Sequence, residues 1–193
     1  MDAPLTLNGT RQCLAVATAV EAHLRSLPLD ARFWVSPLGR ARQTASILAD
    51  CWNLDFGRFA EAPEIVERAY GHWEGSTLSE VKAERPQEFE AHYVDPWGYR
   101  VPGGESKDEL FARIKGWLDG LDRGYAHVVV THSGCFRALR ALYTGATRAV
   151  IEAYREPQTT AFLLRAEEET EIVPSAALLT TCGVAGTGRT VAI

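Results

Sequence analysis

RFWVSPLGRARQT (residues 32–44) runs from a short apolar segment through a turn into a basic helix start. Ser36 is predicted as the N-cap and Pro37 as the first helical residue, because serine and proline favour those two positions. The next apolar residues recur at intervals of three or four, which predicts a helix to about residue 52 with one buried face. They are Leu38, Ala41, Ala45, Leu48 and Trp52. A strand, a turn and a helix are therefore predicted in succession.

Two arginines, Arg40 and Arg42, stand close to this predicted helix start. A helix start carries partial positive charge, so each misplaced cation there costs roughly 0.3–1 kcal/mol. No carboxylate lies between Asp30 and Asp50, so neither arginine has an acidic partner on the next helical turn. Two interpretations remain open. The arginines are solvated on an exposed helix, or a negative group from elsewhere balances them.

HVVVTHSGCFRALR (residues 127–140) has the same organisation. Its apolar run predicts a buried parallel strand, and a helix is predicted from Phe136 to Tyr143. His132 follows the strand at its carboxyl end, where open α/β sheets bind ligands, and helix starts bind anions through free N–H groups. A structural histidine beside solvated Arg137 and Arg140 is the alternative. Two basic junctions without local acids favour a phosphate-sized anion held between them.

Strands alternate with helices along most of the chain, which predicts an α/β fold with helices covering a largely parallel sheet. A long helix capped by Thr6 and running to about Leu27 precedes the first junction, and a helix over 107–122 precedes the second. AFLLR (161–165) and EIVPS (171–175) are predicted as late strands.

The composition excludes several function classes. The 193 residues carry a formal net charge of −5, which argues against nucleic-acid binding. No apolar run approaches the ~20 residues of a membrane helix, and MDAPLTLNG lacks the pattern of a signal peptide. The four cysteines form no CxxC pair and no metal-ligand spacing, so we expect a cytoplasmic protein with reduced thiols and no metal site.

Other phosphate chemistries fit the sequence poorly. Cys135 has arginine at +2 and +5 but not at +6, so it cannot form the phosphate loop of a tyrosine phosphatase. GVAGTGR (183–189) lacks the Lys-Ser/Thr pair of a P-loop. Cleavage of a phosphate ester also needs a proton donor for the leaving oxygen. Glu64, Glu67 and Glu74 are candidates in one loop, and spacing alone does not choose among them.

Five motifs follow one another along the chain: DAPLTLNGTRQ (2–12), SPLGRARQTA (36–45), ERAYGHWEG (67–75), PGGES (102–106) and VVVTHSG (128–134). Taken in this order, they resemble the motifs of the histidine phosphatase superfamily, the phosphoglycerate-mutase-like proteins, over roughly residues 2–165. The resemblance implies one three-layer α/β/α domain over 1–193 with a mostly parallel sheet. It also implies a small phosphomonoester substrate and no metal or organic cofactor.

The resemblance assigns roles to five residues. It makes Glu67 and His132 catalytic, places Arg40, His132 and Ser133 around the phosphoryl group, and lets Tyr70 contact the substrate. Glu67 would protonate the leaving group, while Arg40 and His132 would stabilise charge on the phosphoryl oxygens. Arg42 is then expected to be a solvated neighbour.

The sequence departs from the family at one motif. The family begins with a strand that carries Arg-His-Gly, whose histidine accepts the phosphoryl group, and no Arg-His pair occurs in this chain. We expect either that the terminal RTVAI (189–193) fills the position of that strand, or that the start codon is wrongly chosen or the recombinant chain shortened.

The resemblance implies a histidine-type phosphomonoester phosphatase, impaired or truncated because the nucleophile is absent. A catalytically inactive phosphate-binding or interaction protein, and a phosphoglycerate mutase, are the alternatives. Phosphatase is favoured over mutase because the segment after the donor motif, 88–100, offers one basic substrate-binding candidate, Arg100.

Overall fold

The computed structural model describes residues 2–25, 31–165 and 167–184. Within them the helices are α1 (Leu7–Leu24), α2 (Gly39–Cys51), α3 (Leu78–Glu84), α4 (Pro86–Val94), α5 (Lys107–Asp119), α6 (Ser133–Thr144), α7 (Arg148–Ala153) and α8 (Ala176–Thr181). The strands are β1 (Arg32–Val35), β2 (Phe59–Glu61), β3 (His127–Val130), β4 (Ala161–Arg165) and β5 (Glu168–Ile172).

The central sheet is parallel, with β1 between β2 and β3. Phe33 lies opposite Phe59 on one side of β1, and Val35 lies opposite Val130 on the other. The strands predicted from the apolar runs of β1 and β3 are thus confirmed. The late strands β4 and β5 pair with each other as an antiparallel hairpin.

Helices cover both faces of this sheet, which gives the predicted three-layer α/β/α order. Phe33 and Val35 pack into a core shared with α1 and α2, while Trp34 packs with α5 and α6 on the opposite face. The alternation follows from the two-residue side-chain period of a strand. Small residues of α2, such as Ala41 and Ala45, let that helix lie close to the sheet.

Two predicted helix starts differ from the observed ones. Leu38, not Ser36, is the N-cap of α2, and it caps without a side-chain hydrogen bond. Ser36 is fully buried instead, and its hydroxyl forms a hydrogen bond with the side chain of His132, which lies just beyond the end of β3. Helix α6 begins at Ser133 rather than Phe136, so Arg137 lies beyond its first turn.

The described chain also bears on two other expectations. No helix among the described residues is long and apolar enough to span a bilayer. RTVAI (189–193), the predicted replacement strand, lies outside the described residues.

Replacing Ile114 on α5 should destabilise the fold strongly, because this side chain is fully buried between α5 and the sheet. We expect Ile114→Ala to lower the free energy of unfolding by about 2–5 kcal/mol in chemical denaturation. The control is Lys115→Ala, which removes an exposed side chain paired with Asp119 and should cost less than about 0.5 kcal/mol. Similar losses in the two variants would contradict the assigned packing.

Candidate active site

The start of α2 binds a carboxylate in this structure. Asp2 accepts a hydrogen bond from the Gly39 N–H at 2.6 Å, and its other oxygen lies 3.2 Å from Nη1 of Arg40. The Gly39 N–H is the largest influence holding the pKa of Asp2 below its ordinary value. The second interpretation of the basic helix start is therefore correct for Arg40, since a negative group comes from a distant part of the chain.

His132 lies beside this helix start. Its Nε2 is 2.7 Å from Oγ of Ser36, and the residue is 9% exposed. Burial first, and the charge of Arg40 second, lower the pKa of His132 to about 4, while the charge of Asp2 raises it. Arg40 and His132, far apart in the sequence, therefore act on each other electrostatically, and the imidazole is neutral at pH 7.

Glu67 is the one of the three candidate donors that contacts the second junction. Its Oε2 accepts a hydrogen bond from the Gly134 N–H at 3.1 Å, near the start of α6, and its Oε1 accepts one from the Arg68 N–H at 2.9 Å. Glu64 and Glu74 are exposed, whereas Glu67 is half-buried. The fold thus distinguishes among carboxylates that the spacing left equivalent.

Ser133 and Tyr70 lie at the rim of this region. Ser133 is exposed and hydrogen-bonds Glu156. Glu156 also accepts a 2.7 Å hydrogen bond from Nη2 of Arg137. Tyr70 is 40% exposed, and the guanidinium carbon of Arg68 lies 4.3 Å from its ring centroid.

Carboxylates pair with the other three arginines of the two junctions. Arg42 remains exposed, as expected of a solvated neighbour, whereas the alternative in which Arg137 and Arg140 are solvated is not observed. Arg42 forms an ion pair with Glu61, which ends β2 next to the start of α2. Arg137 and Arg140 are paired with Glu156 and Glu169, respectively. These carboxylates come from segments that the topology brings back to the junctions, so no search for neighbouring acids in the sequence could find them.

Cys135 is buried and chemically inert. Its thiol donates to the carbonyl oxygen of Val66 at 2.9 Å, and burial raises its pKa to about 12. The thiolate is the nucleophilic form of cysteine, so this residue cannot carry cysteine-phosphatase chemistry at neutral pH. The described residues also contain no group of three His, Cys, Asp or Glu side chains that could hold a metal ion.

The loop that carries Glu67 is fastened to the PGGES segment. The N–H of His72 donates to the carbonyl oxygen of Pro102 at 3.0 Å, and the N–H of Glu105 donates to that of Ala69 at 2.9 Å. Gly71 has a φ of +51°, and a Cβ atom there would lie 2.3 Å from the Pro102 oxygen. Glycine is required at this contact because no side chain fits.

Sequence reasoning missed three residues of the site. Asp2 and Glu156 supply carboxylates, and Ser36 supplies the hydroxyl that meets His132. For Ser36 a signal existed, since it directly follows one predicted strand much as His132 follows another. The side chains of Ser36 and His132 can meet only because β1 and β3 are neighbouring strands, and the strand order cannot be read from the sequence.

The comparisons with known proteins agree with this architecture. The sequence model of the histidine phosphatase superfamily (branch 1) matches residues 1–175, so this chain belongs to that family. It is 28% identical over 149 residues to phosphoserine phosphatase 1 of Hydrogenobacter thermophilus, covering 75% of this chain and 66% of that protein. It is also 28% identical over 142 residues to a 6-phosphofructo-2-kinase/fructose-2,6-bisphosphatase of Caenorhabditis elegans, covering 74% of this chain and 29% of that protein.

A solved structure shares the fold. The putative alpha-ribazole-5'-P phosphatase of Escherichia coli superposes with a TM-score of 0.73 at 23% identity, covering 89% of this chain and 84% of that one. The predicted family and the phosphoglycerate-mutase-like fold are thereby confirmed. This chain spans no more than about two thirds of the two curated relatives named above.

Burial of neutral His132 should make the protein less stable in acid. Its pKa is lowered from 6.5 to about 4 in the folded state, so below pH 6.5 the unfolded chain binds a proton that the native state does not. At about 1.4 kcal/mol per pKa unit, this removes roughly 3 kcal/mol of unfolding free energy between pH 6.5 and pH 4.

The measurement is urea denaturation across this pH range, with His132→Gln as the comparison because its amide replaces Nε2 and does not titrate. The variant should lose less stability on acidification than the wild type. Parallel pH profiles for the two proteins would show that His132 is not the group responsible.

Proposed function

We propose that this chain is a histidine-type phosphatase for a small phosphorylated metabolite. The observation that carries the proposal is that the N-terminus of α2 binds a carboxylate, which is an oxyanion. The Gly39 N–H and Arg40 already bind one carboxylate, with the imidazole of His132 within electrostatic range. A phosphoryl group offers the same kind of oxygen to the same donors, with more charge.

In this proposal each predicted residue has a chemical role. Arg40 and His132 stabilise charge on the phosphoryl oxygens, and Glu67 gives its proton to the leaving oxygen as the phosphorus–oxygen bond breaks. Ser133 binds a phosphoryl oxygen once its hydroxyl turns from Glu156, and Tyr70 contacts the rest of the substrate. Bound phosphate dianion would act on His132 as Asp2 does and raise its pKa, which turns the imidazole into a better donor.

As the bond to the leaving oxygen breaks, phosphorus must bond an attacking atom. The resemblance implies a histidine nitrogen of the Arg-His-Gly motif first, and then a water oxygen that releases inorganic phosphate. The 193 residues contain no Arg-His pair, and we propose that the covalent step is impaired for that reason. A catalytically inactive phosphate-binding protein of the same fold is the alternative that this observation favours. For both functions we propose that residues 1–193 form a single domain.

A mutase activity has less support. Arg100, the one arginine or lysine of 88–100, donates to Glu109 at 3.0 Å and to the carbonyl oxygen of Gly104 at 2.9 Å. Its guanidinium is thus held by the carbonyl of Gly104 and by a carboxylate of α5. The names of the relatives cover phosphoserine, fructose 2,6-bisphosphate and alpha-ribazole phosphate, which supports a small phosphorylated metabolite and favours none of the three.

Arg40 should be essential for phosphate binding. We expect Arg40→Ala to abolish the rise in melting temperature that inorganic phosphate gives the wild type, because charge-assisted hydrogen bonds to the dianion are lost. The matched control is Arg42→Ala, two residues away on the same helix, whose side chain is paired with Glu61 and should leave the phosphate effect intact. Equal phosphate effects in wild type and Arg40→Ala would place the anion site elsewhere.

Turnover of p-nitrophenyl phosphate separates the two functions. Hydrolysis by the 193-residue chain that disappears in Arg40→Ala supports the phosphatase and rejects the inactive protein. Phosphate-dependent stabilisation without hydrolysis supports the inactive protein.

A further inference from the structure

One arginine of α5 holds the backbone that leads into Glu67. Nη1 of Arg113 donates to the carbonyl oxygen of Glu64 at 2.5 Å and to that of Val66 at 3.1 Å. Both carbonyls belong to the segment just before Glu67, and Arg113 is 46 residues further along the chain. The segment is thus tied from the side to a packed helix.

Two residues of the β3–α6 junction hold the same segment. Oγ1 of Thr131 donates to the carbonyl oxygen of Ile65 at 2.7 Å, and the thiol of Cys135 donates to that of Val66 at 2.9 Å. The three carbonyls of 64–66 are therefore all bonded by side chains from elsewhere in the fold. A backbone fixed at three successive residues leaves the next side chain little freedom of position.

Arg113 is itself fixed by Glu105. Its Nε and Nη2 donate to the two carboxylate oxygens of Glu105 at 2.8 and 2.7 Å. The two side chains are only 23% and 19% exposed, so this bidentate pair is shielded from solvent. Glu105 raises the pKa of Arg113, which stays charged. Every donor nitrogen of the guanidinium is thus engaged by the Glu105 carboxylate or by a carbonyl of the Glu67 segment.

We propose that Arg113, anchored by Glu105, is a positioning residue that holds the Glu67 carboxylate at the start of α6. The role of Glu67 as proton donor comes from the proposed function, but its placement by Arg113 is a separate claim. Gly134 reports on that placement directly. Its N–H belongs to the first helical turn, has no partner within α6, and is bonded by Glu67.

The experiment is residue-resolved amide hydrogen exchange by NMR on the full chain. In Arg113→Met the Gly134 amide should exchange about tenfold faster than in the wild type, because the carboxylate that covers it is no longer held and the site opens locally. The Ser36 amide, which donates to Val130 inside the sheet, is the internal reference for global opening. Its exchange should change less than that of Gly134.

Arg148→Met is the matched control, since Arg148 also pairs with a carboxylate of α5, Asp108, but at an exposed site. It should leave the Gly134 amide unchanged. If Arg113→Met fails to fold, Glu105→Gln provides the second test, because it removes the charge that anchors Arg113 while nearly keeping the side-chain shape. An unchanged Gly134 rate in a folded variant, or an equal increase in Arg148→Met, would overturn the proposal.

Turnover, where present, adds a readout that general destabilisation would not produce. Hydrolysis of phenyl phosphate depends on protonation of the leaving oxygen more than hydrolysis of p-nitrophenyl phosphate does, because phenolate is the more basic leaving group. Arg113→Met should therefore lower kcat for phenyl phosphate by roughly 10- to 100-fold, with a smaller loss for p-nitrophenyl phosphate and little change in KM. If Glu67→Gln loses more kcat for phenyl phosphate than for p-nitrophenyl phosphate but Arg113→Met does not, the positioning role is refuted and the proposed function stands. If Glu67→Gln loses equal kcat for the two substrates, the result counts against the proposed function alone.

Discussion

Val35 and Val130 lie opposite each other in a parallel ladder, so the chain leaves both strands at the same edge of the sheet. Ser36 follows Val35 directly and His132 comes two residues after Val130, so the two side chains are brought within hydrogen-bond distance. Helices α2 and α6 cover opposite faces of the sheet but both start at this edge, and each start receives a carboxylate, Asp2 at α2 and Glu67 at α6. The pairing of β1 with β3 thus places two electropositive helix ends at one edge of the sheet.

Ion pairs with carboxylates of other segments fix the positions of several arginine side chains. Arg137 and Arg140 are paired with glutamates 19 and 29 residues away, and Arg113 with one 8 residues away. Arg40 differs, since its carboxylate partner, Asp2, lies 40% exposed at the site. An exposed carboxylate is easily exchanged for another oxyanion, whereas the ion pairs of Arg113 and Arg137 are partly buried and fixed in geometry.

The sequence predicted the parts of the fold that depend on local patterns. Apolar runs gave the positions of β1 and β3, and the cap at Thr6 gave the start of α1. The short helices α7 and α8 were not predicted, because six residues are too few to show a helical period. The start of α6 was placed too late, since Ser133 and Gly134 favour turns and are helical here because of tertiary contacts. Within the site, family motifs pointed to Arg40 and Glu67, but the partners of these residues depend on strand order.

The contact of Gly71 with the PGGES segment limits which substitutions the two loops can accept during evolution. Pro102 and Gly104 leave no space for a β-carbon at Gly71, and Ala69 leaves none at Gly104. Neither glycine can be replaced unless the other loop moves as well. A single substitution at Gly71 or at Gly104 would therefore disrupt the contact between the loops. Viable substitutions in this region are therefore expected at exposed side chains such as Tyr70, which lies outside the contact between the two loops.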